Sequence, residues 1–313
     1  MSGHTTQVVD HRSARRHEEN RNVTKILLKF LAGGTSASGV SAMMNSCDFA
    51  KTRLQIQQAT TGVPKYKNFP QAYSTILREE GLRTLLGRGL AASMVREMTY
   101  SSVRMGMYDP VKALFTKSTE GDPGLFIKIM SGGIAGAVGS FVANPADLVK
   151  IRQMAVLPGE TTPYRNCFHA GALIYMNEGG IKGLYRGVTL TVVRASVLTA
   201  AQLSTYDHTK HILIHKTSVF EDNIYTHLLS SLVAGFCTTV ASSPFDVIKT
   251  RYMNSPTGFY KNAFDCFLKT FRNEGPRSLY KGFAPNYLRL GAHCMFALPL
   301  YEQVRLLLGL TTM

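Results

Sequence analysis

Apolar and polar positions along this chain fall into long, charge-free runs separated by short basic segments. Three uncharged runs, at positions 30–47, 129–146 and 228–245, stop just before Asp48, Asp147 and Asp246. Two more, at 187–206 and 282–300, hold one formal charge each, Arg194 and Arg289. Runs of about 18–20 residues with almost no charge read as helices that cross a membrane. Their many Gly, Ser, Thr and Ala residues suit close helix packing in lipid, as in Gly132-x-x-x-Gly136. Segments between the runs, such as 68–80, read as short amphipathic helices at the membrane surface. The pattern predicts odd helices at roughly 26–56, 127–156 and 225–254, and even helices at 88–116, 186–214 and 282–309. The expected fold is an all-α membrane protein with six transmembrane helices.

The runs belong to a repeat. Asp48, Asp147 and Asp246 lie 99 residues apart, each inside nearly the same phrase: Ser46-Cys-Asp-Phe-Ala-Lys-Thr-Arg53, Pro145-Ala-Asp-Leu-Val-Lys-Ile-Arg152 and Pro244-Phe-Asp-Val-Ile-Lys-Thr-Arg251. Three landmarks follow in each unit. The first is Tyr-basic-Asn at Tyr66–Asn68, Tyr164–Asn166 and Tyr260–Asn262. The second is Glu-Gly at Glu80, Glu178 and Glu274, followed by a basic-Gly pair at Arg88-Gly89, Arg186-Gly187 and Lys281-Gly282. The third is Tyr-acid-x-x-base at Tyr108-Asp109…Lys112, Tyr206-Asp207…Lys210 and Tyr301-Glu302…Arg305. Such periodicity means one structural unit made three times, with pseudo-threefold assembly. The organisation expected is a polar N-terminal tail (1–24) and repeats at 25–118, 119–216 and 217–313.

Composition changes this picture little. A length of 313 residues would by itself suggest about two soluble domains, but the repeat overrides that prior. The mean hydropathy of −0.02 conceals the spans, because basic connecting segments dilute them. The formal net charge of +15 is spread over every repeat, with no basic stripe interleaved with aromatics. Anionic lipid and anionic substrate therefore fit better than nucleic acid. The five Cys are odd in number and lack CxxC spacing, so reduced structural thiols are expected and no metal site. The tail has no apolar core of a secretory signal and reads as disordered.

The threefold Pro-x-Asp-x-x-Lys-x-Arg phrase resembles the signature of the mitochondrial carrier family, over about residues 25–310. The resemblance implies a six-helix barrel in the inner membrane, each repeat carrying a short matrix-side surface helix. Its central cavity would open to either side in turn. It also implies a matrix gate in which Asp48 pairs with Lys150, Asp147 with Lys249, and Asp246 with Lys51, with Gln55 as a polar brace beneath one pair. Met154 and Met253 hold the equivalent sites. A cytoplasmic gate would pair Asp109 with Lys210, Asp207 with Arg305, and Glu302 with Lys112. Charges at membrane depth are costly unless paired, so closed rings are physically sensible. Cardiolipin is the one bound lipid implied, at helix N-termini near Gly89, Gly187 and Gly282; no cofactor is expected, and the chain should act as a monomer.

Three departures concern symmetry. Ser46 replaces the motif proline, Gly87 stands where Tyr185 and Tyr280 stand, and the third repeat is one residue shorter before its even helix. Ser46 predicts a straighter first helix and a weaker matrix gate, because it lacks the ring that kinks a helix.

Twelve residues before each even-helix Tyr lies an arginine: Arg96, Arg194 and Arg289. One register in three related helices predicts one depth and one axis. An arginine inside an apolar span is a functional-site candidate. Residues four and eight further on share that face: Tyr100 and Arg104, Leu198 and Gln202, His293 and Ala297. Guanidinium groups bind carboxylates bidentately, so this cationic face suits small diacids. Within the family, Arg96-Glu-Met-Thr-Tyr100-Ser-Ser-Val-Arg104 resembles the oxoglutarate, dicarboxylate and uncoupling-protein branch. That branch implies exchange of dicarboxylates or keto acids, with the three arginines as main contacts. The alternatives are a proton or fatty-acid-anion uncoupler, or a carrier-fold protein without transport; none is an enzyme.

Overall fold

The computed structural model describes residues 34–57, 65–116, 124–156, 164–213, 224–256, 258–291, 300 and 303–304. The N-terminal tail, His293, Glu302 and Arg305 lie outside the described residues, and the side chains of Asp207 and Lys210 are likewise not described.

Every described element is helical. We label them α1 (34–57), α2 (Phe69–Gly87), α3 (Leu90–Thr116), α4 (Leu125–Ala155), α5 (Cys167–Asn177), α6 (Ile181–Leu184), α7 (Val188–His211), α8 (Ile224–Asn254), α9 (Ala263–Glu274) and α10 (283–291). A 3₁₀ turn, Pro276–Tyr280, precedes α10. The long helices α1, α4 and α8 are the odd spans, and α3, α7 and α10 the even ones. Two of them, over Phe126–Ala155 and Leu229–Asn254, have mean hydropathies of 1.5 and 1.3. Leu229, Leu232, Val233 and Phe236 form an exposed apolar stripe on α8, as a lipid-facing surface requires.

The even helices start later than the sequence suggests, by two residues in α3 and α7 and by one in α10. The basic-Gly pairs lie just outside them, because each Gly has positive φ: 73° at Gly89, 78° at Gly187 and 90° at Gly282. A residue in that conformation ends one path and redirects the chain into the next helix. The Gly carbonyl then accepts the first helical hydrogen bond, at 2.8 Å from Ser93 N and 3.1 Å from Thr191 N and Asn286 N.

The surface helices begin alike. Asn68, Asn166 and Asn262 hold the N-cap position in extended backbone. The side chain three residues on reaches back to the N–H before the cap: Gln71 to Lys67, His169 to Arg165, Asp265 to Lys261. Gly81 (φ 78°) breaks α2 into two pieces; Gly179 and Gly180 separate α5 from α6, and Gly275 separates α9 from the 3₁₀ turn. The missing residue of the third repeat falls in that turn. A 3₁₀ helix rises about 2.0 Å per residue against 1.5 Å, so fewer residues span the same gap.

Three apolar clusters tie each odd helix to its surface helix. Phe49, Leu54, Ile76 and Leu85 form one, Leu148, Val149, Ala170 and Ile174 the second, and Ile248, Cys266 and Leu279 the third. Met154 of the second repeat packs into the first cluster, and Met253 of the third into the second, so the repeats interlock. Among the described residues, Cys47, Cys167, Cys237 and Cys266 are free thiols.

Candidate functional site

The phrase containing each Asp is the last part of an odd helix, so its Asp and Lys, three residues apart, lie on one face. The structure joins them across repeats in a closed cycle. Lys150 Nζ is 2.7 Å from Asp48 Oδ2, Lys51 Nζ is 3.2 Å from Asp246 Oδ2, and Lys249 pairs with Asp147. All six are nearly excluded from solvent. The three expected pairs thus form, and they close with Ser46 in place of the motif proline.

The even-helix arginines meet the same aspartates. Arg289 lies 3.3 Å from Asp48 Oδ1, Arg96 lies 3.5 Å from Asp147 Oδ1, and Arg194 pairs with Asp246 Oδ1. Each Asp therefore uses one oxygen for a lysine and the other for an arginine. The shared register of the three arginines puts them at one level, directly on the ring. Asn286 adds a 2.6 Å hydrogen bond to Asp246 Oδ2.

A further acid joins them. Glu97 is buried on α3, pairs with Arg96, and accepts from Arg289 Nη2 at 2.8 Å. Reading the threefold positions alone passes over it, because its counterparts are Ala195 and Leu290. The available signal was a carboxylate inside a span. The cluster holds six cations and four carboxylates, leaving two positive charges in excess. A cavity of about 60 Å³ lies among them, lined by the three aspartates, three lysines and three arginines with Thr52, Gln55, Ile151 and Thr250. That is about two water molecules' worth of space.

Tyr100 packs between two cations, its ring 5.2 Å from the Arg96 guanidinium and 5.9 Å from that of Arg104. Gln202 is half-buried on α7. Asp109 is exposed and Lys112 half-buried at the other end of α3. Their expected partners are not described.

Gln55, expected as a polar brace beneath one pair, lies one turn beyond Lys51 and lines the same cavity as Lys51 and Asp246. Its amide nitrogen donates to Lys281 O at 3.2 Å, and its oxygen accepts from Thr250 Oγ1 at 2.9 Å. It therefore bridges α1, α8 and the start of α10. Met154 and Met253, in the same register, press on Gly89 and Gly187 as Gln55 does on Gly282. All three residues fill the space left by a missing Cβ.

The last arginine of each motif phrase also finds its partner among the landmarks. Arg53 and Arg88 grip Glu80 at 3.2 and 3.4 Å. Arg152 and Arg186 hold Glu178 at 2.9 and 4.0 Å, and Arg251 and Lys281 hold Glu274 at 2.5 and 3.0 Å. Each clamp joins the end of an odd helix, the end of the surface helix and the start of the even helix. Burial disfavours the Glu274 carboxylate, but hydrogen bonds and charge from Arg251 and Lys281 outweigh it and hold the carboxyl below its ordinary range. Beside this clamp, burial together with the Cys266 thiol pushes the Tyr260 phenol up to about 12, and burial pushes the Cys266 thiol up to about 11. That thiol is inert at neutral pH.

Arg88 donates across the repeat boundary to Val156 O at 3.2 Å, and Arg186 to Ser255 Oγ at 2.9 Å. Beside the first contact, a groove of about 490 Å³ is lined by Gly87, Arg88, Gly89, Arg165, Asn166 and Phe168 among others. It lies between the N-termini of α3 and α5.

A family model described as "Mitochondrial carrier protein" matches residues 22–119, 122–217 and 220–311. The chain is 39% identical over 290 residues to "Mitochondrial substrate carrier family protein ucpB" of Dictyostelium discoideum, covering 90% of this chain and 96% of that one. It is 37% identical over 284 residues to "Putative mitochondrial transporter UCP3" of Mus musculus, covering 89% and 91%. It is 38% identical over 286 residues to "Dicarboxylate carrier UCP2" of Danio rerio, again covering 89% and 91%.

Proposed function

Because this chain belongs to the mitochondrial carrier family, we propose that it exchanges small dicarboxylates or keto acids by alternating access. It is a multi-pass transporter of the mitochondrial inner membrane and not an enzyme. The observation that carries the reading is the excess of two positive charges where three arginines converge. A dicarboxylate is a dianion, and it would neutralise that excess.

The ring and the arginines share their aspartates, which suggests how cargo would open the gate. A substrate carboxylate competes with Asp48, Asp147 or Asp246 for a guanidinium. Once an arginine turns to the substrate, its Asp keeps only the lysine. Breaking a buried pair costs about 3–5 kcal/mol when one partner is lost. Opening three pairs without cargo is therefore rare, and substrate contacts must offset the cost. With the pairs closed, a cavity of about 60 Å³ leaves no room for a diacid beneath the arginines. This conformation is the one shut towards the matrix, and Arg104 and Gln202 would line the approach from the other side.

The groove beside Arg88 and Gly89 would take an anionic lipid headgroup such as that of cardiolipin. Two helix N-termini and the Arg88 and Arg165 guanidiniums supply its charge. The second functional reading, uncoupling, draws on relatives that bear uncoupling-type names, UCP2 and UCP3. Liposomes loaded with malate separate the two. Uptake of labelled malate or oxoglutarate that requires internal diacid supports exchange. Proton conductance activated by fatty acid without diacid exchange would replace it with uncoupling.

A further inference from the structure

Glu97 breaks the threefold symmetry of the cationic cluster at the point where charge is counted. One oxygen, Oε1, receives Arg96 of its own helix and Arg289 of α10, the latter at 2.8 Å. The side chain is 6% exposed, so solvent screens it little. On α7 the same register holds Ala195, and Arg194 turns to Asp246; on α10 it holds Leu290. Without Glu97 the charges of the cluster would follow the threefold symmetry, with three positive charges in excess. With it the excess is two.

We propose that Glu97 is a valence-setting residue: by neutralising one unit of charge on Arg96 and Arg289, it makes the site select dianions over trianions. It touches the arginines and not the cargo, so it acts through their charge. The selection follows from the sign and size of the field at the site. Each unit of excess charge in a confined, poorly screened cavity favours the anion of matching valence and disfavours one with a surplus charge. This rests on the reading that the arginines hold the transported anion.

The test measures valence preference in the purified full-length chain. Binding of tricarballylate and of succinate is read by thermal shift in detergent, and exchange is read in liposomes. Sulfate and pyrophosphate provide a second, inorganic series. In the unmodified protein the divalent member of each series should bind more tightly. Glu97→Gln should move the trivalent-to-divalent affinity ratio towards the trianion by about tenfold or more. Glu97→Asp, which keeps the charge, should restore the original ratio. Ala195→Glu adds an acid at the related position beside Arg194 and should weaken divalent binding relative to acetate.

The proposal also survives poor folding of Glu97→Gln, because Ala195→Glu reads the same effect in the opposite direction. Unchanged ratios in both variants overturn it, as does an unmodified protein without divalent preference in either series. If only the inorganic series responds, the valence role stands and the carboxylate reading fails.

Discussion

Arg289 reaches Asp48 at 3.3 Å, on the carboxylate oxygen that Lys150 leaves free. An arginine proposed to hold cargo and a lysine proposed to close the gate thus share one acid, and the same holds for Arg96 with Asp147 and Arg194 with Asp246.

Removing a binding-face arginine should therefore touch both functions. Arg194→Ala and Arg289→Ala are expected to abolish anion uptake in liposomes, with loss of at least about 100-fold, equivalent to about 2.7 kcal/mol. Each Asp keeps its lysine, so the protein should remain folded with its melting temperature lowered by a few degrees. Normal uptake by either variant would remove the arginines from the substrate site.

The cross-repeat pairs should couple measurably. A double-mutant cycle with Asp147→Asn and Lys249→Gln should give an interaction free energy of about 1–3 kcal/mol from thermal unfolding. The charge swap Asp147→Lys with Lys249→Asp should recover transport only partly, because the new ammonium would face Arg96. Additive single effects would rule out the pairing.

Much of this arrangement was legible because it repeats. Asp48, Asp147 and Asp246, their lysines, and the arginines of the even helices could be placed by counting, and the structure unites them. Glu97 escaped that approach since nothing in the other repeats answers to it. The Glu80, Glu178 and Glu274 clamps were visible as landmarks, but one-dimensional spacing did not reveal that Arg53, Arg152 and Arg251 close on them. Gln55 shows the same gap: its register was readable, its bridge to Lys281 and Thr250 was not. Helix starts were misjudged by two residues at Gly89 and Gly187, where positive φ at the glycine delays the helix.

The glycines that receive Met154, Met253 and Gln55 should resist enlargement. In Gly187→Ala the new Cβ would sit 3.0 Å from Met253 Cγ, in backbone with φ 78°. The left-handed conformation alone costs an alanine about 1–2 kcal/mol. We expect a clear drop in melting temperature, larger than for Gly87→Tyr, where no heavy atom lies within 4 Å of the glycine's Cβ direction. An equal drop in the two would show that the contact with Met253 has no bearing on stability.

Acid should loosen the third clamp. The Glu274 carboxyl is held below its ordinary value in the folded protein, so the unfolded chain binds the proton more readily. Its contribution is complete above the unfolded pKa of about 4.3 and is lost as pH falls through the lowered, folded value. Melting temperatures measured from pH 7 down to pH 3 should fall, and the fall should be shallower in Glu274→Gln. A slope identical to that of the unmodified protein would mean that other carboxylates dominate acid unfolding.

Two unmatched positive charges within a membrane-spanning bundle have an electrical consequence. Moving one charge through 100 mV involves about 2.3 kcal/mol. When the occupied site holds a dianion, the combined unit is neutral, and the voltage drop can shift from one side of it to the other without doing work on it. Cargo of any other valence would leave a residual charge exposed to that field. Exchange of one dicarboxylate for another should then proceed at the same rate whether the membrane is polarised or not, while exchange of a dianion for a monoanion should run in the direction the voltage dictates.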